Sequence, residues 1–383
     1  MMRCHNLLFA LTAVTAAATL IPTTCTSELE CSLNGACTNG VCVCDKPWGG
    51  TGCGVLQYKK KQALSTKNLY PHNDTGTQAA PESGPCVTKD GSCGALNTWN
   101  GPIVEVGDKY HMFNPLYRKG SLLATQAMMH GVADNIEGPY TWHTQDDWGS
   151  NPAAVTFNDS ATGKTMYAVF TKHIYVSESI DGPWTDVGSG PGGNPAPIFY
   201  NGIWYATSQR TQEIVTLGPG GKLGGKWSTF ASIEPKLSHG VQEDPFMWID
   251  RNGNWHIINH AYATDEWQHC GNSTLSAHVF SKDGKTWHML GYNGLGGGAN
   301  VEPYTHTVSY EDGTKHTYTT LERPNAHFNA EGEMTHINLA ADLMSQDAGC
   351  PSYDVCPAKA TYCACTNCKY ADHAGTIIIA LDI

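Results

Sequence analysis

Five times along the chain a proline-marked turn leads into a short β-type run, a Gly, Asp or Asn turn, and a second, aromatic-rich run. The copies open at Asn100-Gly101-Pro102, Asn151-Pro152, Asn194-Pro195, Glu243-Asp244-Pro245 and Glu302-Pro303, some 43 to 59 residues apart. Repeats of about this length, each a small sheet that cannot bury both faces alone, are the mark of a propeller. Most copies continue into a third element that ends in an acidic or Gly turn before an aromatic (132–142, 176–187, 224–230 and 279–290), which supplies the outer strands of a four-stranded blade. Val, Ile, Tyr, Trp, Phe and Thr fill the runs and no long stretch has helical periodicity, so the chain is expected to be all-β. The reading is a five-bladed β-propeller over 95–383, preceded by a small disulfide-rich module. A Cys-rich loop at 349–368 makes an excursion from the last blade, and residues 374–383 return as a strand that closes that blade or pairs with the first.

The front of the chain sets the compartment. Arg3 precedes an apolar stretch from Leu7 to Ala18 that is too short to span a bilayer and runs into small residues. It reads as a cleaved secretory signal within 1–24, and the expectation is a secreted, extracellular protein. The formal charge is −12 without a basic stripe, and Lys59-Lys60-Lys61 reads as part of a solvated linker. Nucleic acid is not an expected partner, and neither is membrane insertion. Sequons at Asn73, Asn158 and Asn272 fall in polar turns. Of the 15 cysteines, Cys4 leaves with the signal and an even number remains, as disulfide pairing requires.

Cys25, Cys31, Cys37, Cys42, Cys44 and Cys53, with glycines between them, have a spacing that resembles an epidermal-growth-factor-like module over 25–53. The resemblance implies Cys25 to Cys37, Cys31 to Cys42 and Cys44 to Cys53. Calcium-binding members carry acidic residues before the first cysteine; Thr23 and Thr24 stand there, so no calcium is inferred. The module's own protein partner is unknown from sequence. Cys86, Cys93, Cys270, Cys350, Cys356, Cys363, Cys365 and Cys368 remain; further disulfides are the expectation in an exported protein, with a zinc site at 363–368 the alternative. Residues 54–94, polar and bearing prolines, read as a linker.

In a propeller the innermost strands start at one mouth of the central channel, so the residues opening each repeat converge there. Asn, Asp and Pro are also ordinary turn residues, whereas Glu is a poor turn former, which singles out Glu243 and Glu302. The segment from Glu243 to Trp248, the Asp181-Gly182-Pro183-Trp184 outer turn, and Leu321-Glu322-Arg323-Pro324 resemble the family 43 glycoside hydrolases and their five-bladed relatives. That resemblance implies a general base opening the first blade, a carboxylate opening the third that adjusts the acid, and a general acid opening the fourth. The matching residues are Asn100, Asn194 and Glu243, so amides replace two of the three carboxylates. Asn cannot take a proton from water, and an inverting glycosidase needs an acid and a base roughly 6.5–9.5 Å apart. The expected rebuilt pair is Glu243 as acid with Glu302 or Asp244 as base, since crowded carboxylates divide into a protonated acid and an ionised base.

Asn100, Asn151, Asn194, His130, Arg210, His239, Trp248 and Arg323 are the candidate substrate-binding residues. Each also has a plainer reading: turn chemistry for the asparagines, a hydrogen-bonded core or turn position for each histidine, an ion pair with Glu322 or another acid for Arg323, and core packing for Trp248. No cofactor is expected, although the channel leaves room for a structural cation. Two functions follow, both with carbohydrate as partner. One is a glycosidase with a rearranged carboxylate set; the other is an inactive, lectin-like or adhesive propeller.

Overall fold

The computed structural model describes residues 24–63, 97–117, 125–146, 148–149, 151–209, 211–233, 242–262, 274–289, 301–318, 320–342 and 374–383. Over these the chain forms antiparallel meanders arranged as the five blades of a propeller. Blade 1 runs Ile103–Val106, Lys109–Tyr117, Thr125–Ala133 and Thr141–Asp146, with Asn97–Thr98 also on its second strand. Blade 2 runs Ala153–Asn158, Thr165–Phe170, His173–Ser177 and Thr185–Ser189; blade 3 runs Ala196–Tyr200, Ile203–Thr207, Glu213–Thr216 and Ser228–Ser232. Blade 4 runs Gln242–Ile249, Trp255–Tyr262, Thr274–Ser281 and His288–Met289, and blade 5 runs Thr320–Phe328, Met334–Asp342 and Ala374–Ala380. Each blade buries both faces against its neighbours, through clusters such as Ala168, Phe170, Ile174 and Trp204 between blades 2 and 3. Among the described residues no helix is long and apolar enough to cross a membrane.

The fifth blade starts later than the sequence suggests. Residues after Glu302-Pro303 form a separate two-stranded hairpin, Thr307–Ser309 with Lys315–Thr317, and the inner strand of blade 5 is the one containing Glu322-Arg323-Pro324. The hairpin and its flanks bury Tyr304, Tyr310 and Tyr318, and the Tyr310 and Tyr318 hydroxyls meet at 2.5 Å. An acidic residue, a proline and alternating aromatics describe such a hairpin as well as they describe a blade's first strand. The strand at Ala374–Ala380 closes blade 5 by pairing with Met334–Asp342.

The three disulfides of the N-terminal module pair as its resemblance implies. The module does not stand apart. Cys31, Trp48, Cys53 and Leu56 share one core with Trp248 and Ile258 of blade 4 and Leu339, Ile377 and Leu381 of blade 5. Residues 54–63, which read as the start of a linker, are docked on the propeller. The Leu56 amide donates to the Pro303 carbonyl at 2.8 Å, Tyr58 bridges Leu381, the Lys59 amide donates to the Ala380 carbonyl at 2.9 Å, and Gln62 Oε1 accepts from the Ala380 amide at 2.7 Å. Among the described residues blade 5 has three strands of its own, and this segment docks beside the last of them. The rest of that linker and the Cys-rich loop at 349–368 lie outside the described residues.

Several strand histidines are buried as neutral rings. Burial, with His111 beside it, pushes His130 down to about 4; burial, with His327 and Lys59 nearby, does the same for His336. The unfolded chain takes up a proton near the ordinary value of 6.5, so this contribution to stability is complete above that pH and is lost as pH falls toward 4. Each such ring is worth on the order of 1–3 kcal/mol. Urea unfolding midpoints should therefore fall from neutral pH to about pH 4.5, and His336→Gln should flatten that slope; an unchanged slope would show that His336 protonates without cost.

Candidate functional site

Five residues, one from each blade, share an unusual backbone state at the start of the inner strands. Asn100, Asn151, Asn194, Asp244 and Arg323 all have φ between 45° and 58°. Asn and Asp tolerate this left-handed region, whereas for Arg it costs roughly 1–2 kcal/mol and needs support from its surroundings. In blades 4 and 5 the ladder slips by one residue at this point, between Glu243 and Phe246 and between Glu322 and Asn325. These are β-bulges, where a proline costs no ladder hydrogen bond and the side chains are re-aimed.

The five side chains close a ring across the channel. Arg323 Nε donates to the Asn100 carbonyl at 3.1 Å, Nη1 to Asp244 Oδ1 at 3.2 Å and Nη2 to the Pro152 carbonyl at 3.3 Å. Asn194 Nδ2 donates to the same Asp244 oxygen, and Asn151 Nδ2 to Asn194 Oδ1. Asn100 Nδ2 donates to the carbonyls of Arg323 and Asn338, and Asn338 Nδ2 returns a bond to Asn100 Oδ1. The sequence expectation placed Asn100, Asn151, Asn194 and Arg323 on a substrate and Asp244 in catalysis; the structure engages all five with one another. The acid that Arg323 pairs with is Asp244. Beside the ring, a cavity of about 370 Å³ is walled by apolar inner-strand residues such as Val155, Ile198, Met247 and Ala326.

One residue before the ring, blades 4 and 5 each place a glutamate. Glu243 and Glu322 are both almost fully buried, and both face the buried His260, whose Nδ1 lies 3.8 Å from Glu243 Oε2 and 3.6 Å from Glu322 Oε2. His260 is directly opposite Glu243 on the second strand of blade 4. Gln209, at the end of blade 3, donates its amide to Glu243 Oε1. Glu302 lies on the same side of blade 4, accepting from Ser276 Oγ at 3.4 Å, and Ser276 is the next cross-strand partner of His260. Tyr304 completes the surroundings. Burial first, then Tyr58, Glu322 and Glu302, raises its phenol well above the usual range and keeps it a proton donor.

Carboxylates that can be split between a protonated and an ionised form, sharing a histidine, have the composition that acid-base chemistry requires. Two oxygens each within 4 Å of one nitrogen also cannot stand further apart than the window that glycosidase carboxylates occupy. The sequence singled out Glu243 and Glu302 and left Glu322 as an ion-pair partner. The signal for Glu322 was the Glu-x-Pro spacing it shares with Glu243, and His260 was distinguishable only through its strand register.

The remaining candidates lie elsewhere. Trp248 is buried in the blade 4 core, stacked at 4.9 Å on His256, and also lines the cavity beside the ring. His130 is stacked at 4.6 Å on Phe113 in the outer half of blade 1, away from these glutamates. Arg210 and His239 lie outside the described residues.

No family profile matches the sequence, and no curated protein matches it. Solved structures do. A thermostable family-43 glycoside hydrolase matches at 10% identity and a TM-score of 0.44, over 76% of this chain and 91% of that one. An exo-β-1,3-galactanase from Phanerochaete chrysosporium, solved with β-1,3-galactotriose, matches at 10% identity and 0.43, over 83% and 64%. A family 117 glycoside hydrolase from the marine bacterium Zobellia galactanivorans matches at 10% identity and 0.41, over 83% and 91%. The chain is similar in architecture to five-bladed glycoside hydrolases. Its chemistry has to be read from its own residues.

Proposed function

We propose that this protein is a secreted glycosidase acting on an extracellular polysaccharide or oligosaccharide, with Glu243 as general acid and Glu322 as the second carboxylate. The observation that carries the reading is the pair of buried glutamates flanking His260 at the bulged starts of blades 4 and 5. Glu243 donates its proton to the glycosidic oxygen, and the ionised partner takes one from water. His260 holds the two carboxylates in register, and Gln209 orients the Glu243 head. Glu302 is the alternative base, one strand position further along. Asp244 is the weaker candidate because its carboxylate is already bonded to Arg323 and Asn194.

A screen of plant, algal and microbial polysaccharides and aryl-glycosides, beginning with β-1,3-galactan, tests this. Glu243→Gln and Glu322→Gln are each expected to lower turnover by about 10²–10⁴-fold. Glu302→Gln should have an effect below tenfold if Glu322 is the base. Turnover unchanged in Glu243→Gln would overturn the assignment. A second reading, a carbohydrate-binding propeller without turnover, is favoured by the amides of Asn100 and Asn194, which cannot act as bases and are already bonded in the ring. Binding without turnover, unchanged in Glu243→Gln, is its expected result.

A further inference from the structure

On the face opposite the glutamates, where alternating strand direction puts the turn at 107–108 and the outer turn of blade 2, two histidines and an aspartate meet. His111 and His130 lie on adjacent strands of blade 1 as diagonal neighbours, since His111 is opposite Val132 and His130 opposite Phe113. His111 Nδ1 faces His130 Nε2 at 2.9 Å, and Asp181 Oδ1 of blade 2 lies 3.8 Å from the same Nδ1. The three ligand atoms fall within 4.8 Å of one another. Two imidazole nitrogens on one zinc ion at ~2.0–2.1 Å stand about 3 Å apart at a right angle and about 3.4 Å apart at the tetrahedral angle. The observed spacing is that of a shared ion with little rearrangement, and Asp181, with an exposed side chain, can close the last distance.

Blade 4 carries an internal counterpart. His256 and His278 occupy the same diagonal positions, and His256 Nδ1 faces His278 Nε2 at 3.0 Å. There the pair is sealed, with Trp48 stacked on His278 and Trp248 on His256. In blade 1, His111 instead borders an open cavity that is also lined by Lys109, His143, Glu178 and Asp181. The blade 1 rings are held rigid, His130 by stacking on Phe113, and the Asp181 turn by Ile180 and by Trp184, whose ring meets Phe113 edge-on at 5.8 Å. We propose that His111, His130 and Asp181 form a divalent metal site that ties blade 1 to blade 2. Two imidazoles and one carboxylate suit zinc, nickel or copper and not calcium or magnesium, which take oxygen ligands. On binding the ion, the proton of the hydrogen bond between the rings moves to a far nitrogen, leaving His111 protonated on Nε2 and His130 on Nδ1, so both facing lone pairs reach the ion without a change in charge. Water, His143 or Glu178 supplies the remaining ligand. The site is independent of the glutamates and of the proposed glycosidase activity.

The test is calorimetric titration of the chelator-treated, secreted protein with Zn2+, paired with Co2+ absorption spectroscopy and thermal unfolding with and without Zn2+. Expected is saturable Zn2+ binding that raises the unfolding temperature and is weakened at least tenfold in Asp181→Asn and abolished in His111→Gln. Asp181 is exposed, so its variant folds even if His111→Gln does not. Absence of saturable binding would overturn the proposal, as would binding undiminished in Asp181→Asn; the latter would place the ion elsewhere, for instance among the cysteines of 363–368.

Discussion

Replacing Arg323 by alanine is expected to lower the stability of the whole propeller by about 3–5 kcal/mol, because it removes one half of a buried ion pair and strands the other. Arg323 and Asp244 are both nearly inaccessible, and the guanidinium also reaches backbone carbonyls of blades 1 and 2. One side chain from blade 5 thus bonds to three other blades at the axis. Asp244→Asn alone should cost less, since an amide still accepts from Arg323 and Asn194. The double variant Arg323→Met with Asp244→Asn should recover part of the Arg323→Ala loss, because the lone buried charge is then gone. Urea unfolding of the three variants checks this. Equal stability of Arg323→Ala and the native protein would mean that the ring follows from the packing of the blades and does not hold them.

The second large effect is expected at Trp48. Its ring is almost fully buried, stacks at 5.0 Å on His278 of blade 4, and lies in the core shared with blade 5. Trp48→Ala should cost about 3–5 kcal/mol, as for other large aromatic truncations in cores. A module that was only a spacer would lose its own fold and leave the propeller intact. Here the propeller and module should unfold together, in one transition. Hydrogen exchange would report it directly: in Trp48→Ala, amides of Thr274–Ser281 and Ala374–Ala380 should lose protection, while those of blades 2 and 3 keep theirs. Separate transitions for module and propeller would refute the shared core.

Much of this architecture was legible in the residues because it is written locally. The first four blade openings are Asn or Asp one or two residues before Pro, and the left-handed backbone that the axis demands is one that Asn and Asp accept readily. The fifth opening was hidden because an arginine occupies the same backbone state, and sequence propensity does not point to arginine there. The cysteine spacing carried the resemblance that implies the module's pairing, but its attachment depends on Trp48 meeting His278, a contact between segments far apart in the chain. Glu243 was visible as a glutamate at a turn, where glutamate is uncommon. Glu322 was not, since its value lies in facing the same His260 ring from the neighbouring blade. The ring at the axis was the least legible element. Its asparagines and arginine have the composition of a sugar-binding site, and only the geometry shows them bonded to one another.

The lodging of residues 57–62 against Ala380 and Leu381 also orders events at the ribosome. During synthesis the clasp emerges early and waits for a strand made long afterwards, so blades 1 to 4 can be complete while the circle is still open. Once made, and until it docks, the Ala374–Ala380 segment, with three consecutive isoleucines, is a bare β edge of the kind that pairs with wrong neighbours. A protein joined in this way has to keep that edge unoccupied until its own early partner reaches it.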